Sequence, residues 1–228
     1  MTANKRHGHM AEHAYQWIKG RILRNEWPEG APLKESTLSA EIGVSRTPIR
    51  EALRRLTLEG LVETIPNQGS RLVSWSAHDL DEIFGLRMLL EAHGARLAAQ
   101  RITDSQRNEL YALCDAMERV VDAGTDDVSA RQRLTKLNEE FHCVVLKAAH
   151  SERLQALCSQ VVYLPLVYRT FSIYDKVEIM RSMAHHRELA DAFTAGDPVW
   201  AESVMRAHLS AGHLATRRIQ YGMGKHPA

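Results

Sequence analysis

From residue 79 to residue 221 the chain repeats one pattern: apolar residues three and four apart, in blocks separated by short polar junctions. That is the helical period, and no convincing stretch in this range alternates with the period of two that a strand needs. The blocks run through about 79–99, 103–123, 130–149, 151–174, 176–195 and 198–221, with Gly124 and Gly196-Asp197-Pro198 among the breaks. Amphipathic helices in such a series bury their apolar stripes against one another, so this part is expected to be an all-helical bundle of roughly six or seven helices. A composition of 44% hydrophobic and 25% charged residues supplies an ordinary globular core.

The first third reads differently. Residues 14–23 have helical spacing, and Trp27-Pro28-Glu29-Gly30 closes them with a turn. Ser36 is the expected N-cap of a short helix carrying Leu38 and Ile42, and Gly43 its left-handed stop. A second helix follows from about Ser45 to Glu59, with Ile49, Leu53 and Leu56 as its apolar stripe. Two extended runs, 61–65 and 70–74, flank Pro66-Asn67-Gln68-Gly69 as a hairpin. The order helix, glycine turn, helix, hairpin is that of a winged helix-turn-helix. The expected organisation is therefore a flexible arm at 1–11, the winged domain at 12–75, a linker at 76–78, the helical domain at 79–222 and a tail at 223–228. The fold class is mainly α.

Charge and cysteine usage narrow the function classes. The net charge of +1 excludes a global basic field, so any nucleic-acid footprint must be local. Three cysteines, Cys114, Cys143 and Cys158, form no CxxC pair and fit a reducing compartment. No apolar run approaches the ~18 residues of a membrane helix, and the start is polar and His-rich. A cytoplasmic location is expected by elimination.

The second short helix opens with Ser45-Arg46-Thr47-Pro48-Ile49-Arg50-Glu51. A helix N-terminus offers free N–H groups and a positive dipole end to phosphate. Ser45 or Thr47 can cap it, and Pro48 is tolerated in a first turn. Arg46 and Arg50, four apart, project from one face, where a guanidinium can take a guanine edge bidentately or a phosphate. Gly69 lets the wing turn sharply, with Arg71 just behind it. The segment 38–53, with Leu56 and Glu59-Gly60-Leu61-Val62, resembles the DNA-binding domain of the GntR family of bacterial regulators, over roughly residues 12–74. The resemblance implies that Arg46, Thr47, Arg50 and Gly69 contact double-stranded operator DNA.

Among twelve histidines, three lie on inward helix faces. Asn138 and His142 share a face that continues to Val145 and Ala149; His186 precedes Leu189, Ala190 and Phe193; His208 follows Ala201 and Val204. Buried imidazoles need partners. Separate hydrogen bonds in the core would satisfy them, and so would one shared metal. His185, His93, His150 and His213 are read as ordinary surface or junction residues. The second domain resembles the FCD ligand-binding domain of the FadR subgroup over roughly residues 79–221. That resemblance rests on Leu86-Arg87 with Leu90-Glu91, on 138–142, on His186 with Ala192 and Gly196-Asp197, and on Met205-Arg206-Ala207-His208-Leu209. It implies a divalent metal held by Asn138, His142, His186 and His208. Asparagine in place of the group's usual aspartate removes a negative charge and, with imidazoles, favours zinc or nickel.

Three imidazoles leave open positions for a carboxylate effector, and the resemblance points Arg87 into the same cavity as its anchor. The competing reading of Arg87 is an ion pair with Glu91 one turn on. Tyr163, Tyr168 and Arg169 could also line the cavity, with Pro165 disturbing their phase. The expectation is a homodimeric, metabolite-responsive repressor on a palindromic operator. The alternative is a metalloenzyme fused to a DNA-binding module, because Glu139-x-x-His142 is half of a di-iron signature; the second half is missing.

Overall fold

The structure, a computed structural model, describes residues 3–24, 26–74, 76–161, 171 and 173–220. Trp75, Tyr163, Pro165, Tyr168, Arg169, Tyr221 and the expected tail 223–228 lie outside the described residues. The chain forms two compact units, Met1–Trp75 and Ser76–Ala228.

The first unit runs α1 (Ala3–Leu23), β1 (Pro32–Leu33), α2 (Glu35–Ile42), α3 (Arg46–Leu58), β2 (Val62–Ile65) and β3 (Gly69–Leu72). The strands form one antiparallel sheet in the order β1-β3-β2, with Val62 opposite Leu72 and Pro32 opposite Arg71. Ala14 and Ile18 of α1 pack with Leu38 of α2 and Ile49, Leu53 and Leu56 of α3, all buried. Each such leucine or isoleucine contributes about 1.5–3 kcal/mol on leaving water. The hydroxyl of Tyr15 donates to Glu59 at 2.6 Å and Lys19 reaches the other Glu59 oxygen at 2.8 Å, tying α1 to the end of α3.

Three sequence-based boundaries shift. The stretch 1–11, expected as a flexible arm, belongs to α1 from Ala3 onward, because Ala11 is buried and Glu12 bonds Arg55 of α3 at 2.6 Å. Ser36 does not cap α2. Pro32 and Leu33 pair as β1, the chain enters the helix directly, and Lys34 takes the extended N-cap position. That strand is two residues long, too short to show a period. The expected linker 76–78 is the start of the next helix.

The second unit runs α4 (Ala77–Arg101), α5 (Asp104–Asp122), α6 (Val128–Ala148), α7 (Glu152–Val161), α8 (Lys176–Ala195) and α9 (Pro198–Gln220), with no strand among the described residues. Capping boxes start three of these. Ser76 and Asp79 open α4, Thr103 and Gln106 open α5, and Asp175 and Glu178 open α8, each pair satisfying two N-terminal N–H groups. Helices α4 and α9 pack antiparallel along small residues, including Ala92, Ala95 and Ala201; Arg96–Glu202 at 3.3 Å and Asp81–His213 at 2.8 Å bracket the pair. Arg131 of α6 donates to the carbonyls of Phe171 at 2.7 Å and Tyr174 at 2.9 Å, holding the approach to α8. Among the described residues, no helix is long and apolar enough to cross a membrane. All three cysteines are free, with Cys114 and Cys158 buried and Cys143 exposed.

Candidate functional site

Helix α2 ends on Gly43 in the left-handed region, and Ser45 starts α3 from an extended N-cap. The Ser45 side chain makes no capping bond, and Ser45, Arg46, Thr47 and Arg50 are all exposed over the first turns. Pro48 and Ile49 face the core, so the buried stripe fixes which face the arginines present. Arg50 donates through Nε to both oxygens of Glu35 at 2.8 Å, an exposed pair that solvent screens. No ion pair engages Arg46 among the described residues. Arg54, one further turn along and also exposed, extends the row. It escaped the sequence reading although the four-residue spacing marks it. In the hairpin, Asn67 (φ 63°) and Gly69 (φ 85°) both take left-handed backbone. Arg71 pairs with Glu63 directly across the sheet at 2.8 Å, so its charge is shared within the wing.

The second unit brings His142 of α6, His186 of α8 and His208 of α9 together. One nitrogen from each lies within 4.8 Å of the others, and all three side chains are buried. Nε2 of His142 and Nε2 of His208 are 3.3 Å apart. Neighbouring ligands about 2.0–2.1 Å from one ion stand about 2.9–3.4 Å apart in octahedral to tetrahedral geometry, a range that includes that separation. His186 Nδ1 meets the Ser182 carbonyl at 2.7 Å, which sets that nitrogen as the donor and leaves Nε2 as a lone pair. That Nε2 is buried with no hydrogen-bond partner. Burial, reinforced by His142, pulls the His186 imidazole down to about 3, and burial beside the other histidines holds His208 well below its usual value. Both are neutral at neutral pH, the form a metal requires. The Phe141 ring walls His186 edge-on at 4.7 Å. An orphaned buried lone pair and three buried imidazoles that bring a nitrogen each to one point fit a divalent ion.

Asn138, one turn before His142, is buried and lines two cavities with it. One, of about 20 Å³, also touches His208, Tyr174 and Ser182, and has room for an ion or a water. The other, of about 390 Å³, extends along α6 and α7 past Leu146, Lys147 and Cys158, within the range of small-molecule sites. Arg87 lines both cavities. Its ion pair with Glu91 forms, Nε to Oε1 at 2.6 Å, with both side chains buried. The other Glu91 oxygen stands 3.0 Å from His142 Nδ1, off the line of an ideal hydrogen bond. Burial raises the Glu91 carboxyl, but Arg87 and His142 outweigh it and hold it at about 2, so it is ionised.

Two family models match the sequence: bacterial regulatory proteins of the gntR family over residues 10–72, and the FCD domain over residues 82–211. The chain belongs to the GntR family, with an FCD domain. This GntR-family chain is similar to the probable D-xylose utilization operon transcriptional repressor of Paenarthrobacter nicotinovorans, 31% identical over 94% of the chain and 92% of the relative. It is 27% identical to the transcriptional repressor GlaR of Escherichia coli, over 86% and 90%. Among solved structures, the fold is shared with E. coli McbR/YncC (TM-score 0.66, 21% identity, 93% and 97% coverage). It is also shared with a GntR regulator of Rhodococcus sp. RHA1 (TM-score 0.66, 20% identity, 94% and 99% coverage). The chain is a transcriptional regulator of a family that binds operator DNA, not an enzyme.

In this GntR-family fold, three contributors to the second-unit site went unread in the sequence. Glu91 figured only as a possible partner of Arg87, yet it also reaches His142. Ser182, four residues before His186, orients that ring through its carbonyl, which no side-chain pattern reveals. Tyr174 enters beside Gly212, where an added Cβ would lie 2.9 Å from the phenol oxygen; glycine at 212 makes that approach feasible. His185 is half-buried with its ring 5.9 Å from that of His208, outside the triad. His93 and His150 are exposed, and His213 stacks on Phe84 at 4.8 Å.

Proposed function

We propose that the protein is a homodimeric, metabolite-responsive repressor that binds a palindromic operator and is controlled by a small carboxylate held beside a divalent metal. The observation that carries this is the meeting of three buried imidazoles with a cavity of about 390 Å³ that is lined by Arg87, Asn138 and His142. Asn138, His142, His186 and His208 would hold the ion. Zinc or nickel suits a donor set of three nitrogens and a neutral amide oxygen. The ion supplies a positive charge and open coordination positions for an oxygen ligand. Arg87 supplies a second anchor through the guanidinium nitrogens its ion pair leaves over.

On the DNA side, Ser45, Arg46, Thr47 and Arg50 read the major groove from the N-terminus of α3, and Gly69 and Arg71 bring the wing to the backbone. Relatives named as repressors support the direction of regulation. A two-fold operator calls for two readers, hence the homodimer, and the setting is cytoplasmic. The effector acts by binding the DNA-competent and DNA-incompetent arrangements unequally.

A thermal-shift screen of small carboxylates on the purified full chain, with and without chelator, tests this reading. The expected result is a stabilising carboxylate whose effect vanishes with the chelator. A metal-free preparation that no carboxylate stabilises under either condition, and whose DNA affinity no carboxylate alters, would refute it.

A further inference from the structure

Arg87, Glu91 and His142 form a buried chain between the larger cavity and the histidine cluster. Glu91 is 2% exposed, yet its single negative charge serves two partners, Arg87 Nε at 2.6 Å through Oε1 and His142 Nδ1 at 3.0 Å through Oε2. Arg87 lines both cavities, and the opposite nitrogen of His142 faces His208. Whatever alters the share of Glu91 taken by Arg87 alters the share left for His142.

We propose that Glu91 is a positioning residue that couples anion capture by Arg87 to metal affinity at His142, so that a carboxylate and a divalent ion bind with positive cooperativity. This rests on the effector-and-metal reading above. An anion at the guanidinium takes part of the charge that Arg87 gives Glu91. The carboxylate then pulls harder on the His142 Nδ1 proton, which fixes the tautomer and makes Nε2 a stronger donor to the ion. By linkage the ion strengthens anion binding by the same factor. The larger cavity and the metal would act as one composite site, with Glu91 as the element between them.

Zinc affinity, measured by chelator competition with and without acetate, tests the coupling in the wild type, Glu91→Gln and Glu91→Asp. The amide keeps the shape and loses the charge, and the shorter acid keeps the charge and cannot span both partners. Each is expected to weaken zinc about 10- to 100-fold. Acetate is expected to tighten zinc about fivefold or more in the wild type and by clearly less in either variant, where only its direct contact with the ion remains. Imidazole 15N spectra of the metal-free protein should place the His142 proton on Nδ1 in the wild type and redistribute it in Glu91→Gln, while His186, held by the Ser182 carbonyl, stays unchanged. A merely structural role for Glu91 would not produce that selective change. If Glu91→Gln does not fold, Glu91→Asp carries the comparison. Zinc bound as tightly by the variants as by the wild type, or an acetate effect as large in them as in the wild type, overturns the relay alone. A wild type that takes up no zinc overturns the metal reading and the relay with it.

Discussion

His142 and His208 approach each other through their Nε2 atoms at 3.3 Å, from helices α6 and α9, with both residues buried. Two lone pairs at that distance repel unless a proton or a cation lies between them. Removing one imidazole should therefore remove the ion. His208→Ala is expected to lose bound zinc on dialysis while the wild type retains it, as elemental analysis would report. Chelator should lower the wild-type melting temperature and leave the variant's unchanged; a site filled at a hundred times its Kd contributes about 2.7 kcal/mol. Equal metal content in the two proteins would refute the cluster as a metal site.

Asn138 offers the ion a neutral amide where a carboxylate would offer charge. Asn138→Asp should tighten zinc binding, because an anionic oxygen beside a dication gains most in a buried site. The same change should weaken binding of a carboxylate effector, which it would meet as a like charge. Chelator competition and thermal shift read the two effects separately. A zinc affinity left unchanged would place Asn138 outside the coordination sphere.

Arg46 is exposed on the first turn of α3 with no ion pair among the described residues, so its loss should leave the fold intact. Arg46→Ala is expected to weaken specific operator binding about ten- to a hundredfold, the loss expected for one good base contact. Fluorescence anisotropy against operator and scrambled duplexes, alongside a thermal melt, separates the two. Unchanged discrimination between the duplexes would reject the docking of α3.

Gly69 holds φ 85°, and a Cβ built there meets nothing within 4 Å. The penalty of Gly69→Ala is then purely conformational, about 1–2 kcal/mol for a non-glycine residue in left-handed backbone. Urea denaturation should register that loss with an unchanged m-value. A neutral result would mean the wing relaxes to another turn.

The winged unit was legible because its punctuation is chemical: Gly43 and Gly69 both take left-handed backbone where the sequence asks for a stop and a turn. Apart from the block 151–174, which lies partly outside the described residues, the helix boundaries of the second unit followed from period and breaks, and the burial of His142, His186 and His208 from their inward faces. What escaped shares one physical cause. β1 exists only because Pro32 and Leu33 find Arg71 and Ser70, residues far along the chain. The hold of Glu91 on His142 crosses from α4 to α6, and that of Ser182 on His186 runs through a backbone carbonyl. Side-chain periodicity reports the face of a residue and is silent on which atom it will meet there.

The Arg131 guanidinium, bonded to the Phe171 and Tyr174 carbonyls, has a mechanical consequence. It ties α6 to the residues that lead into α8, so two of the three histidine-bearing helices are joined through one side chain. The third, α9, is held instead against α4 by Arg96–Glu202 and Asp81–His213, so the spacing of the cluster is set from two independent directions.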